Sequence, residues 1–179
     1  IMVGYYKNPE ATSEVLKDGW LHTGDIGTWI DGKYLKIIDR KKEMFKTSGG
    51  KYVVPQQIES KFLESPFIEQ MMVVGENQKF PAALIVPNFQ NLKNWANQQG
   101  ITIQKMTNEE LILQKFVIDK MQSEVSVYNQ HFGSYEQIKK FILLPNEMTV
   151  EGGELTTTLK MKRRVILEKF NTSVNQIYK

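Results

Sequence analysis

Lys160 follows three threonines and a leucine in the stretch ELTTTLKMKRR, residues 154–164, and is followed by the basic run Lys162, Arg163, Arg164. Its ammonium could be aimed at a ligand, or the stretch could simply open a soluble helix after a loop. Most lysines beside a helix start are simply solvated. Cations there are opposed by the positive end of the helix dipole, however, so this run hints weakly at an anionic partner. Asp25 lies between Gly24 and Gly27 in GWLHTGDIG, residues 19–27. Small neighbours allow close approach, and an ionised carboxylate accepts hydrogen bonds from vicinal hydroxyls such as those of a ribose. On the residues alone, an ordinary aspartate turn is favoured. Arg40, in the charged stretch DRKKE, has a guanidinium able to fork onto ribose or phosphate oxygens. Lys46 and the Gly49-Gly50 backbone, in KTSGGKY, could line a channel for a second anionic ligand. A solvated hairpin edge guarded by lysines is an equal alternative.

These groups need elements to hold them. Asp31-Gly32 in TWIDGKYLKII separates two alternating runs and predicts a two-residue hairpin turn, with positive φ at both positions. DRKKE reads as a linker, and Gly49-Gly50 suggests a second hairpin. Pro55 opens a predicted helix with Ile58 and Phe62 on one face. MMVVG and AALIVPN are strand-length apolar runs. Asn88 can cap a helix through Gln99 that stops at Gly100. Thr107 and Glu110 form a capping-box pattern ahead of the longest helix, whose face is read as Leu113, Phe116, Val117, Met121, Val125 and Tyr128. YEQIKKFILL reads as a strand, VEGGELTTT as an ordered loop, and residues 161–171 as a final basic helix. Hairpins followed by irregularly alternating strands and helices predict an α+β sandwich.

Composition narrows the classes. The 179 residues are 41% hydrophobic and 11% aromatic, enough for a real core. The net charge of +3 calls for no general nucleic-acid surface, and the charge lacks the interleaved aromatic platforms of an RNA-binding domain. Positive charge gathers instead at residues 33–51, with seven Lys/Arg against two acids, and at 155–179, with six against one. Such a distribution suits a polyanion held between them. The absence of cysteine excludes disulfides and thiol chemistry and is compatible with a reducing cytoplasm. His22 and His131 are too few and too separated for a metal cluster, so no metal site is expected. No stretch near 18 apolar residues and no signal-peptide pattern occurs. The abrupt start at Ile1 suggests an excised fragment.

Three segments, in this order, carry a resemblance: GYYKNPEAT…DGWLHTGDIG, DGKYLKIIDRKKEMFKTSGGKYVVPQQIE, and GELTTTLKMKRR. Together they resemble the end of the AMP-forming acyl-CoA synthetases, members of the adenylate-forming superfamily, and the TLKxKRR ending with YEQIKKF before it looks most like the long-chain fatty acid subgroup. The likeness covers nearly the whole chain and is sharpest over residues 2–60 and 133–167. It implies that residues 1–39 close a large ATP- and acid-binding domain. Residues 40–179 would be a mobile lid with an N-terminal β-hairpin, a three-stranded antiparallel sheet and flanking helices.

By motif match, the resemblance implies that Asp25 holds ribose hydroxyls with Arg40 beside them, that Lys42 is the hinge, and that Lys160 is the adenylation lysine. Lys46, Ser48, Gly49 and Gly50 would form the CoA tunnel and thioester-forming face. Substrates would be a fatty acid, ATP (leaving as AMP) and CoA, with Mg2+ held mainly by the large domain of the same chain. The fragment alone would be inactive, and its location cytoplasmic or peripheral to a membrane. Two departures stand out. Leu159 replaces the glycine that most of the superfamily carries before the lysine, as the long-chain subgroup does, and Thr157 stands where that subgroup usually has proline. A nucleotide- or partner-binding module of the same fold is the alternative; Asp25, Arg40 and Lys160 together favour the enzyme.

Overall fold

The structure, a computed structural model, describes residues 2–41, 43–101, 103 and 106–179. The chain divides into two compact units, Ile1–Met44 and Phe45–Lys179. In the first, α1 (Pro9–Val15) is capped by the Asn8 side chain, which accepts from the Ala11 N–H, and has proline in its first turn. A short pair, β1 (Leu16–Lys17) with β2 (Trp20–Leu21), follows. Next comes the hairpin of β3 (Asp25–Ile30) and β4 (Tyr34–Arg40). Asp31 and Gly32 take φ of 52° and 65°, and the Lys33 N–H donates to Ile30 O at 3.0 Å, closing the expected turn. Strand pairing resumes only at Ile30 with Tyr34, leaving three residues in the loop where two were expected. Nor does DRKKE read as a linker from its start, because β4 continues through Arg40, which pairs with Asp25.

The second unit opens with the hairpin β5 (Phe45–Lys46) and β6 (Tyr52–Val53). Helix α2 (Pro55–Phe62) buries Pro55, Ile58, Glu59 and Phe62 on one stripe. Strands β7 (Ile68–Val74), β8 (Ala82–Pro87) and β9 (Lys140–Leu143) make the central sheet in that order. The class is α+β as expected, but the three-stranded sheet is not all antiparallel. β7 and β8 are antiparallel, whereas β9 joins β8 parallel, with Leu84 opposite Ile142. Parallel strands need a long crossover. Helices α3 (Phe89–Gln98), α4 (Asn108–Leu111) and α5 (Lys115–Asn129) supply it.

The Thr107–Glu110 capping box is present, yet it opens only the four-residue α4. The chain breaks between α4 and α5, so Leu113 is 75% exposed while Leu111 takes the buried place. Val117, Met121 and Val125 face the core as expected. Of YEQIKKFILL only Lys140–Leu143 is strand. The final basic helix is two helices, α6 (Arg163–Lys169) and α7 (Asn171–Tyr178).

Alternation along β7 and β8 sends side chains to two cores, one on each face of the sheet. Met71, Val73, Ala83 and Ile85 join Phe45, Val53 and the helices α2, α3 and α5 in the first core. Met72, Val74, Leu84 and Val86 join Leu155, Ile166 and Ile177 in the second. Ile166 is fully buried. Ile166→Ala should cost about 2–5 kcal/mol through lost burial and the cavity left behind. That corresponds to a melting temperature lower by roughly 4–20 °C, measurable by thermal denaturation.

Candidate adenylation and thioesterification sites

In the first unit, Asp25 and Arg40 face each other across the hairpin, and Arg40 Nε lies 3.3 Å from Asp25 Oδ1. Asp25 is pinned at its own backbone by Thr23, whose Oγ1 accepts its N–H at 3.1 Å, and the Lys41 N–H donates to Gly24 O at 2.8 Å. A cavity of about 600 Å³ opens here, lined by Glu14, His22, Thr23, Gly24, Asp25 and Lys41. Its wall thus carries the Asp25 carboxylate, able to accept hydroxyls, and a lysine suited to anions; the Arg40 guanidinium reaches Asp25 from the neighbouring strand. Lys42 lies outside the described residues.

In the second unit the KTSGGKY hairpin holds Lys46, Ser48, Gly49 and Gly50 on one loop. The loop is braced from both sides. Thr47 and Lys51 bond to each other, the Thr47 N–H donating to Lys51 O at 2.9 Å, and the turn between β7 and β8 clasps the loop through Asn77 N–H to Lys46 O at 2.8 Å and Ser48 N–H to Gln78 O at 2.9 Å. Gly50 has φ of +80°, a conformation in which a side chain is strained. Gly49 has neither a positive φ nor a crowded site: the nearest atom to an added Cβ would be Thr47 Oγ1 at 4.0 Å. Packing within the unit therefore does not require glycine at 49.

Lys160 is exposed on a closed loop. Leu155 and Met161 form an antiparallel bridge, and the Lys162 N–H donates to Glu154 O at 2.7 Å. At the tip, the Thr156 N–H donates to Lys160 O at 2.8 Å, the Leu159 N–H to Thr156 O at 2.8 Å, and the Lys160 N–H to Thr156 Oγ1 at 3.0 Å. The tip is self-bonded, which limits how far the lysine backbone wanders. Leu159 takes φ of 59° and is 72% exposed. A glycine at this position would adopt that conformation without strain. Leucine thus preserves the turn and adds an exposed apolar side chain beside the cation.

The basic run is only partly what its sequence suggests. Arg163 is paired with Glu59 at 2.6 Å and Arg164 with Glu168 at 2.9 Å, so two of its charges are answered internally. Among the described residues, the ammonium groups of Lys160 and Lys162 have no carboxylate within ion-pair distance. At the other end of the loop, Glu154 is 3% exposed, and its carboxylate accepts from Lys169 Nζ and from the Thr149 N–H. The hydrogen bond from Lys169 holds the Glu154 carboxyl below its ordinary value of 4.5, outweighing burial, which acts the other way. A depressed folded value means that the unfolded chain takes up the proton first as pH falls. This contribution is complete above pH 4.5 and disappears as pH drops through the lower folded value. Melting temperature measured against pH should therefore fall more steeply below 4.5 for the natural chain than for Glu154→Gln; parallel curves would count against it.

Glu59, Glu154 and Lys169 escaped the sequence reading. The signal was there for Glu59, an acid inside the apolar stripe of α2 at Pro55, Ile58 and Phe62. Acids in such a stripe are buried only when paired.

Residues 43–179 match the sequence model of a family described as the AMP-binding enzyme C-terminal domain. The chain belongs to this family. Long-chain-fatty-acid–CoA ligase 1 of Cavia porcellus is 38% identical over 99% of this chain and 26% of its own length. Long chain acyl-CoA synthetase 2 of Arabidopsis thaliana is 35% identical over 98% of this chain and 26% of its own. Among solved structures, the adenylation domain of a carboxylate reductase from Mycobacterium chelonae superposes with a TM-score of 0.77 at 27% identity, over 98% of this chain and 26% of that one. The chain spans about a quarter of the length of the curated relatives it matches, 26% for the guinea-pig ligase. As an AMP-binding C-terminal domain, the second unit presents two distinct polar surfaces, the lysine loop and the glycine hairpin.

Proposed function

We propose that this chain is the C-terminal part of a long-chain fatty acid–CoA ligase. Residues 1–39 would close the ATP- and acid-binding domain, and residues 40–179 would form the lid that moves against it about Lys42. In the first step a fatty carboxylate oxygen attacks the α-phosphorus of ATP, and the bond to the bridging oxygen breaks, releasing pyrophosphate. Lys160 supplies the cation that stabilises charge at the attacked phosphorus. Asp25 accepts the ribose hydroxyls, with Arg40 beside it. In the second step the CoA sulfur attacks the acyl carbon and AMP leaves. Lys46, Ser48, Gly49 and Gly50 form the wall along which the thin pantetheine arm approaches.

One observation carries this reading. The glycine hairpin is rooted through Phe45 and Val53 in the core on one face of the sheet, and the lysine loop through Leu155, Met161 and Ile166 in the core on the other. On this reading the two surfaces, rooted on opposite faces of the sheet, meet the reacting carboxyl in turn rather than in one pose. Two steps served by two surfaces therefore call for rotation between them, absorbed by few residues. The ligases that align with 98–99% of this chain support the substrate class. They give no ground for the alternative of a non-catalytic binding module. On the same reading Mg2+ would be held mainly by the large domain, and no step here runs through it; among the described residues no three His, Asp or Glu side chains stand together. The same reading sets the work in the cytoplasm or at a membrane face; among the described residues no helix is long and apolar enough to cross a membrane. The test is to measure the two half-reactions separately in full-length protein carrying Lys160→Ala. Loss of adenylation alone supports the assignment, and equal loss or no loss removes it.

A further inference from the structure

The lysine loop is held at each root by an ion pair, and the pair at its C-terminal root is unusually placed. Arg163, three residues after Lys160, sends Nη2 to both oxygens of Glu59 at 2.6 Å each and Nη1 to Val73 O at 3.1 Å. Glu59, 8% exposed, also accepts the Val73 N–H at 2.7 Å. One guanidinium thereby ties the start of α6 to α2 and to the end of β7. At the N-terminal root Glu154 is buried under Lys169, and a Cβ on Gly152 would press on the Glu154 carboxylate, which would have to shift from its place.

We propose that Glu59 and Arg163 are positioning residues for adenylation, holding the base of the Lys160 loop at the height and angle the cation requires. The proposal rests on reading Lys160 as the adenylation lysine. Its physical ground is that a buried ion pair adds little stability over well-packed apolar residues of similar size. What the pair does provide is direction. A fork bonded at two oxygens and a carbonyl fixes Arg163 in all three dimensions, whereas an apolar contact tolerates sliding. The loop tip is closed by its own hydrogen bonds, so a shift at the root moves Lys160 bodily. A misplacement of about 1 Å can cost on the order of 10²-fold in rate.

The test uses full-length protein and three variants: Lys160→Ala, the double replacement Glu59→Met with Arg163→Met, and all three together. Removing both charges at once leaves neither member of this pair behind as a lone buried ion. The double variant should slow single-turnover adenylation by roughly 10–100-fold with KM for ATP unchanged. Thioester formation from supplied acyl-adenylate should stay within about threefold, and adding Lys160→Ala should bring no loss beyond that of Lys160→Ala alone, because the pair acts through the lysine. Arg163→Lys, which keeps the charge and loses the fork, should show the same selective loss and serves if the double variant does not fold. Equal loss in both half-reactions, unchanged adenylation, or losses that multiply in the combined variant would each overturn the positioning role. Should Lys160→Ala itself leave adenylation intact, the reading of Lys160 falls and this proposal falls with it. An effective Lys160→Ala beside an inert double variant removes only the proposal.

Discussion

Lys160→Ala in the full-length protein should slow formation of the acyl-adenylate by roughly 10²–10³-fold, while thioester formation from supplied acyl-adenylate continues at close to its natural rate. The magnitude follows from the charges. A carboxylate approaching a triphosphate is repelled throughout, and the charge grows on the phosphoryl oxygens as the bond forms. An ammonium about 4 Å away, at the effective dielectric of a partly exposed site, contributes about 4 kcal/mol. A 10²–10³-fold effect is about 2.7–4 kcal/mol, so one fixed cation suffices. The substitution is clean because the lysine is exposed and, among the described residues, has no carboxylate partner to strand. Stability should change by less than about 0.5 kcal/mol, checked by thermal denaturation. Lys160→Arg should restore only part of the rate, since the charge remains but a planar fork replaces a compact ammonium. A loss shared equally between the half-reactions would make the residue structural.

Features written in neighbouring residues were legible beforehand, and features that depend on distant partners were not. Asp31-Gly32 declares its turn because only a few residue types accept two successive positive φ angles. Asn88 and Thr107 declare helix starts because a cap is satisfied within three residues. The parallel placement of β9 is written nowhere locally: it depends on how the crossover between Pro87 and Lys140 packs, and the same apolar run would suit either direction. The break between α4 and α5 was hidden for a similar reason. A continuous apolar face fitted the sequence, and only burial of Leu111 with exposure of Leu113 separates one helix from two.

The candidate site divides in the same way. Lys160, Asp25 and the glycine hairpin stand out by residue type and motif. The carboxylates that hold the lysine loop do not, since Glu59 meets Arg163 across 104 positions of sequence. Leu159 is an intermediate case. Its departure from glycine was visible, but the backbone conformation that makes the departure costly was not.

Gly49→Val is expected to leave the fold intact and to slow the CoA step by roughly 10–100-fold, with adenylation unaffected. The two adjacent glycines are present for different reasons. Gly50 is demanded by its own backbone, so Gly50→Ala should cost roughly 1–2 kcal/mol of stability wherever the ligand lies. Gly49 is demanded by nothing in its unit: its φ lies outside the left-handed region, and an added Cβ would meet no atom closer than 4.0 Å. An open position occupied by glycine in a braced, cation-flanked hairpin is explained if the missing side chain leaves room for something that passes. Valine is the sharper probe because its branched Cβ restricts χ1 and keeps the side chain from swinging aside. KM for CoA should rise, or the thioester rate fall, while the melting temperature of Gly49→Val stays at or above that of the natural chain, since a residue other than glycine narrows the unfolded ensemble. A Gly49→Val protein that turns over CoA normally would take this hairpin out of the thioester-forming surface and leave only the lysine loop to argue for a lid that works from two faces.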